Sequence, residues 1–249
     1  MTNDTMMTLI PSAEIVHELA PTGVLRVAIN FGNTVIAQRD VNTGHPQGVS
    51  IDLSYALGRQ LQVPVEIVEF DAAGKVVAAL ATNQWDLAFL AVDPKREEMM
   101  TFSSPYVMIE GTYLVKSDSR FKAPTELDDD GIRIAVGAGA AYELYLTQNL
   151  KQAELLRRPT AAEAFQSFLD LGLDALAGVR QVVDTFARSQ SGLRVLPGRF
   201  MSISQALAVP KRRTAGIAFL NRFIEAKRAD GSVAESLRIS GYAEAAGTP

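Results

Sequence analysis

The chain contains no cysteine. Disulfides, a thiolate nucleophile and thiolate metal ligation are therefore excluded, and either redox compartment is allowed. Histidine is nearly absent too: His17 falls in the N-terminal segment and His45 in a turn, so neither a metal cluster nor a catalytic triad is expected. No apolar run approaches the roughly 20 residues that span a bilayer. A net charge of −4 offers no basic surface for nucleic acid or an anionic membrane. Met1 to Leu25 carry no Lys or Arg and no apolar stretch long enough for a secretory signal, so no export signal is visible there. What remains is 249 residues, 47% hydrophobic and 21% charged, an ordinary globular composition with length for one or two domains.

The stretch Trp85 to Tyr106 is the most informative. Leu87 to Val92 reads as a short buried strand, and it emits Asp93-Pro94-Lys95-Arg96 at its carboxyl end, where open α/β sheets keep their ligand crevice. Pro94 suits the first turn of a helix, and Glu97 and Glu98 suit that helix's positive end. Arg96 is thereby placed beside the crevice with a guanidinium fork able to hold a carboxylate.

Around this stretch, strands and helices alternate. Strands are predicted over Val24–Ile29, Val65–Phe70, Tyr113–Lys116, Ile132–Val136, Leu173–Ala177 and Ser204–Val209. Helices are predicted over Asp52–Leu61, Ala73–Thr82 capped by Asp71, Tyr142–Leu150, Gln181–Ser189, Ala215–Arg228 and Ser232–Ile239. Thr160 and Glu163 form a capping-box pair for a further helix through Leu171. The small residues after Ile239 read as a mobile tail. The order implies two α/β lobes joined by two crossovers. The predicted boundaries are an N-terminal extension over 1–22, a first lobe over 23–109 plus 200–249, and an inserted second lobe over 110–199.

Five pieces in order carry a resemblance: Gly23-Val24-Leu25-Arg26-Val27, Gly48 to Leu53, Trp85-Asp86-Leu87-Ala88 with Lys95-Arg96-Glu97, Phe102 to Tyr106, and Ala206 to Lys211. Over residues 23–240 the chain resembles the type 2 periplasmic solute-binding proteins of amino-acid ABC transporters, the bacterial extracellular solute-binding family 3. The resemblance implies a two-lobed, Venus-flytrap α/β fold that closes about its hinge on a small solute. It also implies a monomer, a membrane permease of the ABC type as partner, a periplasmic location, no cofactor, no metal and no catalysis.

Carried over by the resemblance, Arg96 matches the arginine that grips a ligand carboxylate. The helping hydroxyl residues are replaced by Ala91 and Asp93, and the donor turn of the second lobe becomes Gly139-Ala140-Ala141, whose backbone N–H groups still suit an anion. The acidic residue that receives an α-ammonium falls at Val179, with Arg180 beside it. Two arginines in one cleft favour an organic anion with two acidic groups, or a carboxylate without an amine, over an ordinary amino acid. Asn30, Phe31 and Asn33 on the first exit loop, Asp71 and Tyr142 complete the expected ligand contacts. Phe31 could equally close the core, Asp71 could simply cap a helix, Arg180 could simply bridge the lobes, and Glu110 could serve the hinge or accept from an arginine. The alternative is an enzyme: Tyr142-Glu143-Leu144-Tyr145 through Lys151 is similar to cyclohexadienyl dehydratases, with Glu143 as general acid. A first-turn glutamate favoured by the helix dipole accounts for the same residue without catalysis.

Overall fold

The computed structural model describes residues 10–246. The chain opens with α1 (Ala13–Leu19), β1 (Leu25–Asn30), the short strands β2 (Gln38–Arg39) and β3 (Pro46–Gln47), and α2 (Val49–Leu61). β4 (Val65–Phe70), α3 (Ala73–Ala79), β5 (Leu87–Ala91), the one-turn α4 (Pro94–Glu97) and β6 (Met100–Phe102) follow. A ten-residue strand β7 (Val107–Lys116) leads into β8 (Arg133–Gly137), α5 (Ala141–Asn149) and β9 (Glu154–Arg158). Next come α6 (Ala161–Asp170), β10 (Ala175–Val179), α7 (Arg180–Ser189) and β11 (Leu193–Val195). A second ten-residue strand, β12 (Met201–Pro210), carries the chain back to α8 (Thr214–Ala229) and α9 (Ser232–Ile239).

Ten strands share one mixed sheet, ordered β4-β1-β5-β12-β7-β10-β8-β9, with β6 on β12 and β11 on β7. Each flank is a parallel α/β layer: β1 pairs in parallel with β4 and β5, and β8 with β9 and β10. The centre is antiparallel. β12 pairs with β7 from Met201↔Gly111 to Gln205↔Val107, then with β5 from Gln205↔Ala91 to Ala208↔Ala88. These two long strands are the crossovers expected from the element order, and they run between the flanks as one ribbon.

β5 and β10 are buried along their whole length, as parallel strands covered on both faces require. The main core runs through both flanks, from Leu25, Leu57 and Phe223 to Ile134, Ala175 and Leu146. Trp85, fully buried in a smaller cluster beneath α3, donates its indole N–H to the Val76 carbonyl at 2.9 Å. A third cluster holds α6 and α7 on the second flank through Phe168, Leu176 and Val183.

Asp86 is the fully buried charge of the first flank. Its Oδ2 receives Arg26 Nε at 2.8 Å and its Oδ1 receives Arg26 Nη2 at 3.0 Å. Arg213, at the start of α8, adds Nη2 to Oδ1 at 3.4 Å and Nη1 to the Asp86 carbonyl at 3.1 Å. Three segments are tied at one carboxylate. On the back of the molecule, α1 is capped by Ser12, and its Glu18 accepts the Gly216 N–H at 2.7 Å in the first turn of α8. The carboxylate thus satisfies an orphan donor at the positive end of that helix.

Two local expectations are corrected. Asp71 does not cap α3: the N-cap is Ala72, and the Asp71 carboxylate sits one residue too early, paired with Lys75 at 2.8 Å. The expected mobile tail forms a 3₁₀ turn over Ala243–Ala246 with Ala245 buried, held by the Tyr242 hydroxyl donating to Thr34 Oγ1 at 2.8 Å. Residues 247–249 of that tail lie outside the described residues.

Candidate functional site

Between the two flanks, at the carboxyl ends of β1, β5, β8 and β10, lies a small cavity of about 60 Å³ that opens toward solvent. Of the residues expected to meet a ligand, Arg96, Asn30, Asn33, Asp71, Ala91, Ala140, Ala141 and Tyr142 all line it. Arg180 and Phe31 do not.

Arg96 is positioned by its own turn. Asp93 caps α4, accepting the Lys95 N–H at 2.9 Å and the Arg96 N–H at 3.3 Å, and Pro94 fixes the first helical φ. The guanidinium is 2% exposed. Nη1 donates to the Ala91 carbonyl at 2.8 Å, and Nη2 reaches across the cleft to the Gly139 carbonyl, also at 2.8 Å. Nε has no protein partner. Burial pushes the Arg96 pKa down to about 10, with the Asp93 charge pulling the other way, so the group is cationic at neutral pH. A buried cation with an unsatisfied donor is the strongest feature of the cavity, because such donors are rarely left unpaired.

The opposite wall begins with the turn Gly137–Ala140 at the end of β8. Gly139 has a φ of +70°, in the left-handed region. It meets α3 backbone to backbone: a Cβ on Gly139 would lie 2.7 Å from Gly74 Cα, and one on Gly74 would lie 2.8 Å from the Ala138 carbonyl oxygen. Two glycines therefore let the flanks touch. Tyr142, one turn into α5, keeps its hydroxyl on the Gly137 backbone, and burial pushes its pKa up to about 12.

The two asparagines are partly consumed by their own loop, with Asn30 Oδ1 accepting the Gly32 N–H at 3.0 Å and Asn33 Oδ1 the Val35 N–H at 3.3 Å. Phe31 lies outside the cavity, on the rim, with Arg39 stacked 5.0 Å from its ring centroid. Sequence reading missed Gln205, which is 4% exposed and lines the cavity from β12. The signal was present: Gln205 is the one amide in β12, set directly before the apolar run Ala206–Val209.

Arg180 is corrected. It begins α7, but its Nε binds Glu110 Oε2 at 2.8 Å, and Arg199 Nη1 binds Glu110 Oε1 at 2.7 Å. Arg180 also donates to the Gly198 carbonyl. The guanidinium is committed to the crossover strands, so the two-cation cleft that would favour a dianion is not formed. Glu143 is equally committed. It is 5% exposed, accepts Arg157 Nε at 2.7 Å and Thr147 Oγ1 at 2.8 Å, and accepts the Gly139 N–H at 3.1 Å. It braces the turn from behind and is not among the residues that line the cavity.

The hydrogen bonds from Arg180 and Arg199 hold the Glu110 carboxyl below its ordinary range. A depressed folded-state pKa contributes stability above the unfolded value, near 4.3, and loses it as pH falls through the folded value. Glu110→Gln is expected to melt earlier than the parent at pH 7, with the gap shrinking below about pH 4. A gap unchanged between pH 7 and pH 3 in urea melts would assign the loss to something other than the charge.

Residues 26–238 match the family described as bacterial extracellular solute-binding proteins, family 3. The chain belongs to that family. Its fold is the two-lobed, type 2 periplasmic-binding-protein fold, and the flanks described above are its lobes. Similar solved structures include a variant of ArgBP from T. maritima, 21% identical with a TM-score of 0.78, matched over 91% of this chain and 99% of that one. An amino acid ABC transporter substrate-binding protein from Streptococcus pneumoniae, bound to L-arginine, is 23% identical with a TM-score of 0.78 over 91% and 97% of the two chains. An ancestral amino acid-binding protein, AncCDT-1, described as a precursor of cyclohexadienyl dehydratase, is 25% identical with a TM-score of 0.75 over 90% and 97%. As a member of this family the chain is a solute-binding protein. No helix among the described residues is long and apolar enough to cross a membrane.

Proposed function

We propose that this solute-binding protein captures a small carboxylate-bearing solute between its lobes and presents it, as a periplasmic monomer, to an ABC transporter permease. The lobes comprise residues 23–109 with 200–249, and 110–199. The observation that carries the reading is the Arg96 guanidinium, buried in the cavity wall with Nε unpartnered. A carboxylate docked against Arg96 neutralises the buried charge, and it satisfies Nε when the guanidinium exchanges the Gly139 carbonyl of the facing lobe for the ligand. Ala140 and Ala141, at the start of α5, line the same cavity; the Ala140 N–H is spent on the Gly137 carbonyl at 3.3 Å, which leaves the Ala141 N–H and the positive end of the helix to favour an anion. Gln205 and the asparagines supply neutral polar contacts. The dehydratase alternative draws no support from Glu143, whose carboxylate faces Arg157, Thr147 and Gly139 rather than the cavity.

The test is calorimetric. Arg96→Ala is expected to weaken solute binding roughly 10- to 100-fold, the worth of a charge-assisted hydrogen bond, and Arg96→Lys to recover only part of it, because a point charge lacks the guanidinium fork. Retention of full affinity in both variants would overturn the assignment of Arg96 as anchor.

A further inference from the structure

We infer that the solute is a monocarboxylic acid with an apolar body and no amine, its tail leaving the Arg96 cavity through an apolar recess toward the lobe rims. The inference rests on the reading of Arg96 as the carboxylate anchor.

Two recesses adjoin the cavity. Gly32 and Ala161 belong to the walls of the cavity and of both recesses, so the three spaces are neighbours. Val182 and Phe186, one turn apart on α7, line both recesses, and Phe31 closes the outer one from the first lobe. Val182 is buried, and the Phe186 ring is stacked on Phe165 at 4.4 Å between centroids, which holds it in place. The passage is therefore walled by fixed apolar groups and suits the body of an acid.

Charge argues the same way. The cavity wall joins apolar groups such as Phe89, Ala91 and Val179 to the neutral amides of Asn30, Asn33 and Gln205, so an α-ammonium there would meet no carboxylate but Asp71. Asp71 is the one carboxylate among the cavity-lining residues, and it is already paired with Lys75. In the outer recess Asp71 recurs with Glu163, whose Oε1 accepts from Thr160 Oγ1 at 3.0 Å. A distal ammonium would have to compete for carboxylates that are engaged. Among the described residues that line the cavity and the recesses, Arg96 is the one Lys or Arg, so a second carboxylate would have no cation of its own.

Four ligands on one six-carbon skeleton separate these possibilities: hexanoate, norleucine, 6-aminohexanoate and adipate, titrated calorimetrically into the full chain. Hexanoate is expected to bind at least tenfold tighter than the other three. Across butanoate, hexanoate and octanoate, affinity should rise about fourfold per added methylene. Phe186→Ala and, independently, Phe31→Ala should flatten that rise; both rings are partly buried against a core cluster, so each variant is first shown by dichroism to be folded. Tighter binding of norleucine, 6-aminohexanoate or adipate than of hexanoate overturns the inference, as does no binding of any of the four or an affinity indifferent to chain length. If norleucine binds best and loses its affinity in Arg96→Ala, the anchor stands and only the ligand class falls. If hexanoate binds equally well to Arg96→Ala, it is the anchor that falls.

Discussion

Asp86→Ala is expected to cost about 3–5 kcal/mol of folding stability, because it removes one partner of a buried ion pair and leaves the other charge behind. Asp86 is fully buried, and Arg26 grips both of its oxygens while Arg213 shares one of them. The attraction is spent on desolvation when the group is present, but its removal strands two guanidinium groups whose side chains are only 19% and 15% exposed. Asp86→Asn should lose less, since an amide oxygen can still accept from Arg26. The check is a urea titration followed by far-ultraviolet dichroism: the midpoint of the alanine variant should fall steeply with the slope unchanged. A midpoint within error of the parent would mean that Arg26 and Arg213 find other partners and that the carboxylate is not the tie between β1, β5 and α8.

Gly139→Val should produce the second large effect, and it should act on closure as well as folding. A β-branched residue at a φ of +70° is strained in any lobe arrangement, at roughly 1–2 kcal/mol. In the closed arrangement its Cβ would also sit 2.7 Å from Gly74 Cα, and backbone cannot rotate away as a side chain can. Forcing the lobes apart there costs about another 1–3 kcal/mol, as overpacking does. It also lengthens the bond from Arg96 to the Gly139 carbonyl. Solute affinity should therefore fall by one to two orders of magnitude in a protein that still folds, and the scattering radius should stay that of open lobes at saturating solute. A variant that binds with parental affinity would show that the two glycines are not a closing contact. Gly74→Ala gives an independent reading without the positive-φ strain, because its Cβ would meet the Ala138 carbonyl oxygen at 2.8 Å.

Much of the architecture was legible because it rests on local pattern. β4 and α9 fall where periodicity and flanking turns place them, and α4 follows from Asp93 and Pro94 alone. The crossover strands were read too short, Tyr113–Lys116 against Val107–Lys116 and Ser204–Val209 against Met201–Pro210. Their first halves alternate with polar residues such as Glu110 and Ser202, which face one another in the pairing that makes these segments strands. Arg96 was legible from the strand end it follows. The misplacement of Arg180 has a different cause: its partners Glu110 and Gly198 are 70 and 18 residues away in sequence, and no local pattern announces a pairing made at a crossover. The touching of Gly74 and Gly139 is hidden for the same reason, since each glycine alone reads as a helix start or a turn.

The place of β12 in the sheet has a consequence for how the protein comes into being. It lies between β5 and β7, at the centre of the sheet, yet it is encoded at residues 201–210 of 249. While the chain is being synthesised, β5 and β7 have no neighbour between them, and the first lobe lacks α8, which helps cover its core. The first lobe therefore cannot complete itself until β12 and α8, through Ala229, have left the ribosome, and its pairings are among the slow, long-range ones. Until β12 emerges, the centre of the sheet in a nascent chain of this design has no strand to close it.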